Sequence, residues 1–172
     1  IHPNGQFIYV KDHRGIVVLD HEMKSVRQEL SFSGGGGSMH GIAMNSAGTR
    51  LWATDAQSTL HEASIDDKGS ISWTRKISLP GPGGNDASHS TGIAISKDNK
   101  TAYVCQSRNN TLAIVDLETG NAGDDLAHAR IGDRHVLTLC LLQQDALAHQ
   151  AVERLRTRLR RLHHLRVELF TR

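Results

Sequence analysis

The chain is poor in the residue types that announce chemistry or a membrane. It has two cysteines, Cys105 and Cys140, too few for a disulfide framework or a cysteine-based zinc site. Aromatic residues make up 4% and prolines number three in 172 residues. No uninterrupted apolar run nears the roughly 18 residues of a membrane helix, so no membrane span is expected. The charges nearly cancel, with 20 Lys and Arg against 18 Asp and Glu. That balance is too even to imply an anionic surface, and nucleic acid is not an expected partner. The catalytic signatures Gly-x-Ser-x-Gly and His-Glu-x-x-His are absent, and no carboxylates pair at a fixed spacing. From Ile1 onward no charged stretch leads into an apolar one, which leaves the compartment open.

What is present divides in two. Residues 1–121 hold 14 of the 16 glycines, every serine, every lysine and every proline. Residues 122–172 hold no Ser, Lys, Asn, Pro, Trp, Tyr or Met, yet carry nine arginines and eleven leucines. An ordinary domain boundary does not set seven residue types to zero.

The first part repeats itself. Gly41-Ile42-Ala43-Met44-Asn45 returns as Gly92-Ile93-Ala94-Ile95-Ser96, and downstream Gly48 aligns with Asn99 and Trp52 with Tyr103. Backwards, Asn4-Gly5-Gln6 and Ile8-Tyr9-Val10 match Ala47-Gly48-Thr49 and Leu51-Trp52-Ala53. Tyr9, Trp52 and Tyr103 are therefore spaced by 43 and 51 residues, close to the roughly 40–50 residue period of four-stranded propeller blades. Each unit reads as short β-rich runs between polar turns. The expected strands are 7–11, 15–20 and 25–32 in unit one, then 42–45, 50–55, 59–65 and 70–79 in unit two. Unit three offers 92–96, 101–106 and 111–116, with a hairpin at 117–120 and a fourth strand to follow. A β-sandwich with chance similarity is the rival, but sandwiches show turn signals every 8–12 residues without this longer phase.

The run from Thr101 to Asp116, with Tyr103-Val104, Asn110-Thr111 and Val115-Asp116, resembles a repeat of the bacterial YVTN (YncE-like) β-propellers. Gly92–Ser96 and Thr119-Gly120 fall on that repeat's opening and close, and unit one keeps Tyr9-Val10 and Val18-Leu19-Asp20. Unit two departs, with Trp52-Ala53-Thr54-Asp55 in place of Y-V-x-N. The resemblance implies an all-β fold, a partial β-propeller of four-stranded antiparallel blades in units of about 1–40, 41–91 and 92–121. It also implies a periplasmic or extracellular setting, and a part of a larger protein, since two and a half blades do not close a ring of at least about four. Missing blades, or self-association through open strand edges, are the partners this suggests, besides an unidentified small-molecule or protein ligand.

The tail, 122–172, breaks the repeat at Ala122-Gly123-Asp124-Asp125-Leu126. Over 145–170 it has helical periodicity: Val152, Leu155, Leu159, Leu162 and Leu169 form a stripe among Arg154, Arg156, Arg158, Arg160 and Arg161. An Arg/Leu-rich amphipathic helix could bind an acidic partner, RNA or an anionic membrane surface, or it could cap or dimerise the fold. The composition fits a third reading best, translation out of frame or a mispredicted gene end after about codon 121.

Candidate chemistry is sparse. Ser33–Ser38 is a glycine linker without the following Lys-Ser/Thr of a phosphate loop, and Pro80–Asp86 reads as a long connection. In propellers, the loops before the innermost strands face the central channel. By that placement Met39, His40, Asn85, Asp86 and His89 are the candidate ligand-binding residues, and none is assigned a catalytic role. His and Asp there could hold a divalent cation, but no third ligand is set by spacing and no cofactor is expected. His2, His13, His21 and His61 are expected at the surface, and Cys105 as a buried thiol. Ser88-His89-Ser90 is no triad, because neighbours on an extended chain point to opposite faces. The function expected is a non-catalytic binding or scaffold module of a larger YVTN-type protein. The alternative is the propeller portion of a phosphoesterase-like or lactonase-like metal-dependent hydrolase.

Overall fold

The computed structural model describes residues 1–33, 41–81, 88–109 and 111–122. The helical stretch expected at 145–170 lies outside the described residues.

Among the described residues ten strands form: β1 (Phe7–Lys11), β2 (Gly15–Asp20), β3 (Val26–Ser31), β4 (Ile42–Met44), β5 (Arg50–Thr54), β6 (Thr59–Ile65), β7 (Ile71–Ser78), β8 (Ser90–Ile95), β9 (Thr101–Gln106) and β10 (Thr111–Asp116). A 3-10 turn, Ser107–Asn109, lies between the last two. Every pairing is antiparallel between consecutive strands, giving sheet I (β1-β2-β3), sheet II (β4-β5-β6-β7) and sheet III (β8-β9-β10). Five strands, β1, β2, β6, β9 and β10, have the limits read from the sequence, and the others differ by one or two residues at an end. After β10, the bridge between Val115 and Ala122 begins the expected return.

The turns explain why the strands stop where they do. Gly5 (φ 73°), Gly48 (φ 71°) and Asn99 (φ 59°) occupy the same repeat position and the same left-handed conformation, open to glycine and tolerated by asparagine. Asn45, Asp66, Asp98 and Asp116 each accept backbone N–H bonds a few residues on, so their turns are closed by the side chain as well as the backbone.

The sheets stack face to face. Phe7, Tyr9, Ile16, Val18 and Phe32 of sheet I and its margin pack on Leu51, Ala53, Ala63, Ile65 and Ile71 of sheet II. Behind them, Trp52, Leu60, Ile77 and Leu79 pack on Ile93, Ala102, Val104, Ala113 and Val115 of sheet III. Sheet II is thus covered on both faces, which is why its central strands are buried almost throughout instead of alternating. Tyr9 reaches across the first interface, donating from its hydroxyl to Gly69 O at 3.0 Å. Burial, and then the nearby Asp66 carboxylate, push that phenol up to about 12, so it stays a neutral donor.

Candidate functional site

Because consecutive strands run antiparallel, β1, β3, β5, β7 and β9 all end at one end of the stack. The connections from β3 to β4 and from β7 to β8 leave and return there, beside the turn after β5. Met39, His40, Asn85 and Asp86 lie in those connections and fall outside the described residues. His89 is described. Its backbone is held in the left-handed region (φ 53°), and its N–H donates to Gln57 O at 3.1 Å. Ser107 returns two bonds to His89 O, from N at 3.2 Å and from Oγ at 2.8 Å. Ser88 is tied down likewise, its N donating to Ser58 Oγ and its O accepting from Arg108 N. The pinned backbone leaves the His89 imidazole exposed between the turns of sheets II and III.

The turn that fixes His89 is built on Asp55. Its Oδ1 accepts from Gln57 N at 3.0 Å and Thr59 N at 2.9 Å, and its Oδ2 faces His61 Nε2 at 3.0 Å. Burial pushes the Asp55 carboxyl up, but the bonds from His61 and Thr59 outweigh it and hold the group below its ordinary value. With Asp55 ionised, His61 Nε2 carries the proton and donates. The other ring nitrogen, Nδ1, is buried without a hydrogen-bond partner. The ring lies 4.6 Å from Phe32 and 5.3 Å from Trp73.

His61 therefore corrects the sequence reading, which placed it at the surface: it is 2% exposed. It stands in the middle of β6, on the side that meets sheet I, where both faces of the strand are covered. Of the other histidines in that group, His13 and His21 are exposed and His2 is half-buried, its Nε2 3.0 Å from Gly48 O. Cys105 is buried, as expected.

Lys11, at the end of β1, completes this buried polar group. It is 8% exposed, with Nζ 5.5 Å from the Phe32 ring centre. Burial pulls its ammonium down to about 8 against the attraction of Asp55 and Asp12. Between about pH 8 and the unfolded value of 10.5, the unfolded chain holds a proton that the folded chain has released, so stability rises with pH across that window. Urea melts at pH 7.5 and 10 are expected to show the rise in the wild type. In Lys11→Met the Lys11 contribution to it should vanish, and an unchanged rise would mean that Lys11 is not its source.

At the opposite end, a cleft of about 440 Å3 is lined by Arg50, Glu62, Arg75, Lys100 and Glu118, among others. Its charges are spent on one another. Glu62 accepts from Arg75 Nε at 3.0 Å and lies 3.5 Å from Arg50 Nη1, while Lys100 pairs with Glu118 at 3.1 Å. Among the described residues no three His, Cys, Asp or Glu side chains gather to hold a metal, and no helix is long and apolar enough to cross a membrane.

No family model and no curated protein matches the chain. Solved structures do. Hydrazine synthase of Kuenenia stuttgartiensis matches over 69% of this chain and 32% of its own, at a TM-score of 0.55 and 21% identity. A protein from Lactobacillus plantarum matches over 70% and 38%, at 0.53 and 15%. A putative 6-phosphogluconolactonase from Bacteroides uniformis matches over 70% and 36%, at 0.52 and 14%. The described sheets are blades of a β-propeller. The chain spans about a third of the length of the solved structures it matches, and identities this low speak for the fold alone.

Proposed function

We propose that the chain is a non-catalytic binding module, part of a larger propeller of the YVTN (YncE-like) kind, built from units of about 1–40, 41–91 and 92–121. Its ligand, a small molecule or a protein segment, meets Met39, His40, Asn85, Asp86 and His89. The observation that carries this reading is His89. Five hydrogen bonds around Ser88 and His89 fix a left-handed backbone that histidine does not choose unaided, and they hold an exposed imidazole in place. Mapping amide shifts with a library of small fragments tests it. Shifts are expected at Gln57, His89 and Ser107; shifts gathered at the 45–49 and 96–100 turns would move the binding surface to the other end.

A second reading, a metal-dependent lactonase, draws its support from two solved neighbours, putative 6-phosphogluconolactonases from Bacteroides uniformis and Bacteroides fragilis. Hydrolysis of glucono-δ-lactone above the spontaneous rate, lost with EDTA and restored by calcium, would establish it in place of the first. Calcium that leaves both the rate and the melting temperature unchanged would count against it.

A further inference from the structure

We propose that the ligand at the His89 end carries a carboxylate or phosphate group, taken by Arg108 and His89 with the Asn109 side-chain amide as a third donor. The inference rests on the reading that a ligand binds there, and adds its chemical class.

Arg108 stands beside His89 because the backbone ties it there. Its N–H donates to Ser88 O at 3.2 Å, one residue after Ser107 closes on His89 O through N and Oγ. The 3-10 turn Ser107–Asn109 is thus laced to Ser88-His89. The Arg108 side chain is exposed, and among the described residues its guanidinium has no hydrogen bond or ion pair. That sets it apart from the other described arginines. Arg14 pairs with Asp12, Arg27 lies over the Phe7 ring, and Arg50 and Arg75 share Glu62. At the next position, Asn109 Nδ2 is buried with no acceptor. Buried polar groups in folded proteins are nearly all satisfied, so this N–H marks a place where an acceptor belongs.

The carboxylates in the described turns at this end are both committed. Asp12 Oδ1 accepts from Arg14 N and Gly15 N, each at 2.8 Å. Asp55 is taken up by Gln57, Thr59 and His61. What stays open is one cation and two further nitrogen-bearing side chains, grouped on one turn and the residue laced to it. An oxyanion answers such a set. The guanidinium offers paired N–H groups in one plane, matched to two oxygens of a carboxylate or phosphate. A neutral alcohol or amide could meet the imidazole but would leave the charge of Arg108 to water.

The test uses the full chain, with inorganic phosphate and acetate titrated separately at an ionic strength held constant with chloride. Resonances of His89, Arg108 and the Asn109 side-chain amide are expected to shift saturably with at least one of them. The anion that binds more tightly identifies the group. Arg108→Gln removes the guanidinium and keeps the backbone bond to Ser88 O, so without anion the His89 amide should keep its wild-type position. The affinity of this variant for the anion is expected to fall about tenfold. No saturable shift with either anion, or equal affinity in wild type and Arg108→Gln, overturns the proposal. If neutral fragments then still move Gln57, His89 and Ser107, the binding site stands and only the anionic class falls. If they move nothing at this end, both readings fall together.

Discussion

Replacing Trp52 with alanine is expected to cost about 3–5 kcal/mol of stability. The indole is 0% exposed and lies between sheets II and III, against Leu60, Ile77, Leu79, Ala102, Val104 and Ala113. Ala102 and Ala113 are small where the indole is large, so the space it leaves is bounded by strand backbone that has little freedom to collapse inward. Trp52→Phe should cost much less. It removes part of the ring, but it also removes Nε1, which is buried with no acceptor, a burden of about 1–3 kcal/mol in the wild type. The other tryptophan makes the measurement informative. Trp73 stacks on Phe32 at 5.3 Å, between sheets I and II, and in either variant it is the sole indole reporter. Urea titrations followed by its fluorescence should show the midpoint falling far more in Trp52→Ala than in Trp52→Phe. Equal losses, or a loss below about 1 kcal/mol in the alanine variant, would mean that the indole does not join the two sheets. A Trp73 transition that stays at its wild-type midpoint while far-ultraviolet circular dichroism of the same variant shows an earlier one would show that sheets I and II melt independently of sheet III.

That blades would form was legible because each depends on signals a few residues apart. Turn residues such as Asn45, Gly48, Asp98 and Asn99 mark where strands reverse, and the 43 and 51 residue spacings of Tyr9, Trp52 and Tyr103 mark where the pattern begins again. The polar group beneath His89 was hidden for a physical reason. Thr59–Ile65 alternates poorly, since sheet II is buried on both faces, and a histidine in such a run carries no mark of its burial. The repeat did hold a clue. Asp12, Asp55 and Gln106 share one position, three residues after the aromatic, and each ties the turn that follows: Asp12 accepts from Gly15 N, Asp55 from Thr59 N, and Gln106 from Thr111 Oγ1. At the site of His61, sheets I and III have Val17 and Ala113, as the registers show. A polar residue where both neighbours in the repeat are apolar is the signal that could have found it. Glu62 was missed on the same strand, and only its partners Arg75 and Arg50, distant in sequence, make its burial tolerable.

Asp55→Ala is expected to cost about 3–5 kcal/mol, the range for removing one member of a buried, hydrogen-bonded polar pair. Three donors lose their acceptor at once: Gln57 N, Thr59 N and His61 Nε2. Lys11 loses the Asp55 carboxylate, whose attraction opposes the effect of burial on its ammonium. Asp55→Asn separates the contributions. An amide oxygen can still close the turn on Gln57 and Thr59, so the backbone part survives, while the charge facing His61 and Lys11 is gone. The asparagine variant should therefore fall between wild type and alanine. The pH dependence identifies the charge directly. A carboxyl whose folded value lies below its unfolded one contributes stability that is complete above the unfolded value, near 3.8. That contribution drains away as pH falls through the folded value. Wild type should then lose stability on acidification below about pH 4 more steeply than Asp55→Asn, which has no proton to take up at this site. The turn also carries His89, through Gln57 O, so the alanine variant should broaden or shift the His89 amide resonance at neutral pH, whereas the asparagine variant should not. If the asparagine variant keeps both the stability and the acid slope of the wild type, the Asp55–His61 contact contributes nothing. The turn and its histidine would then be held by backbone bonds alone.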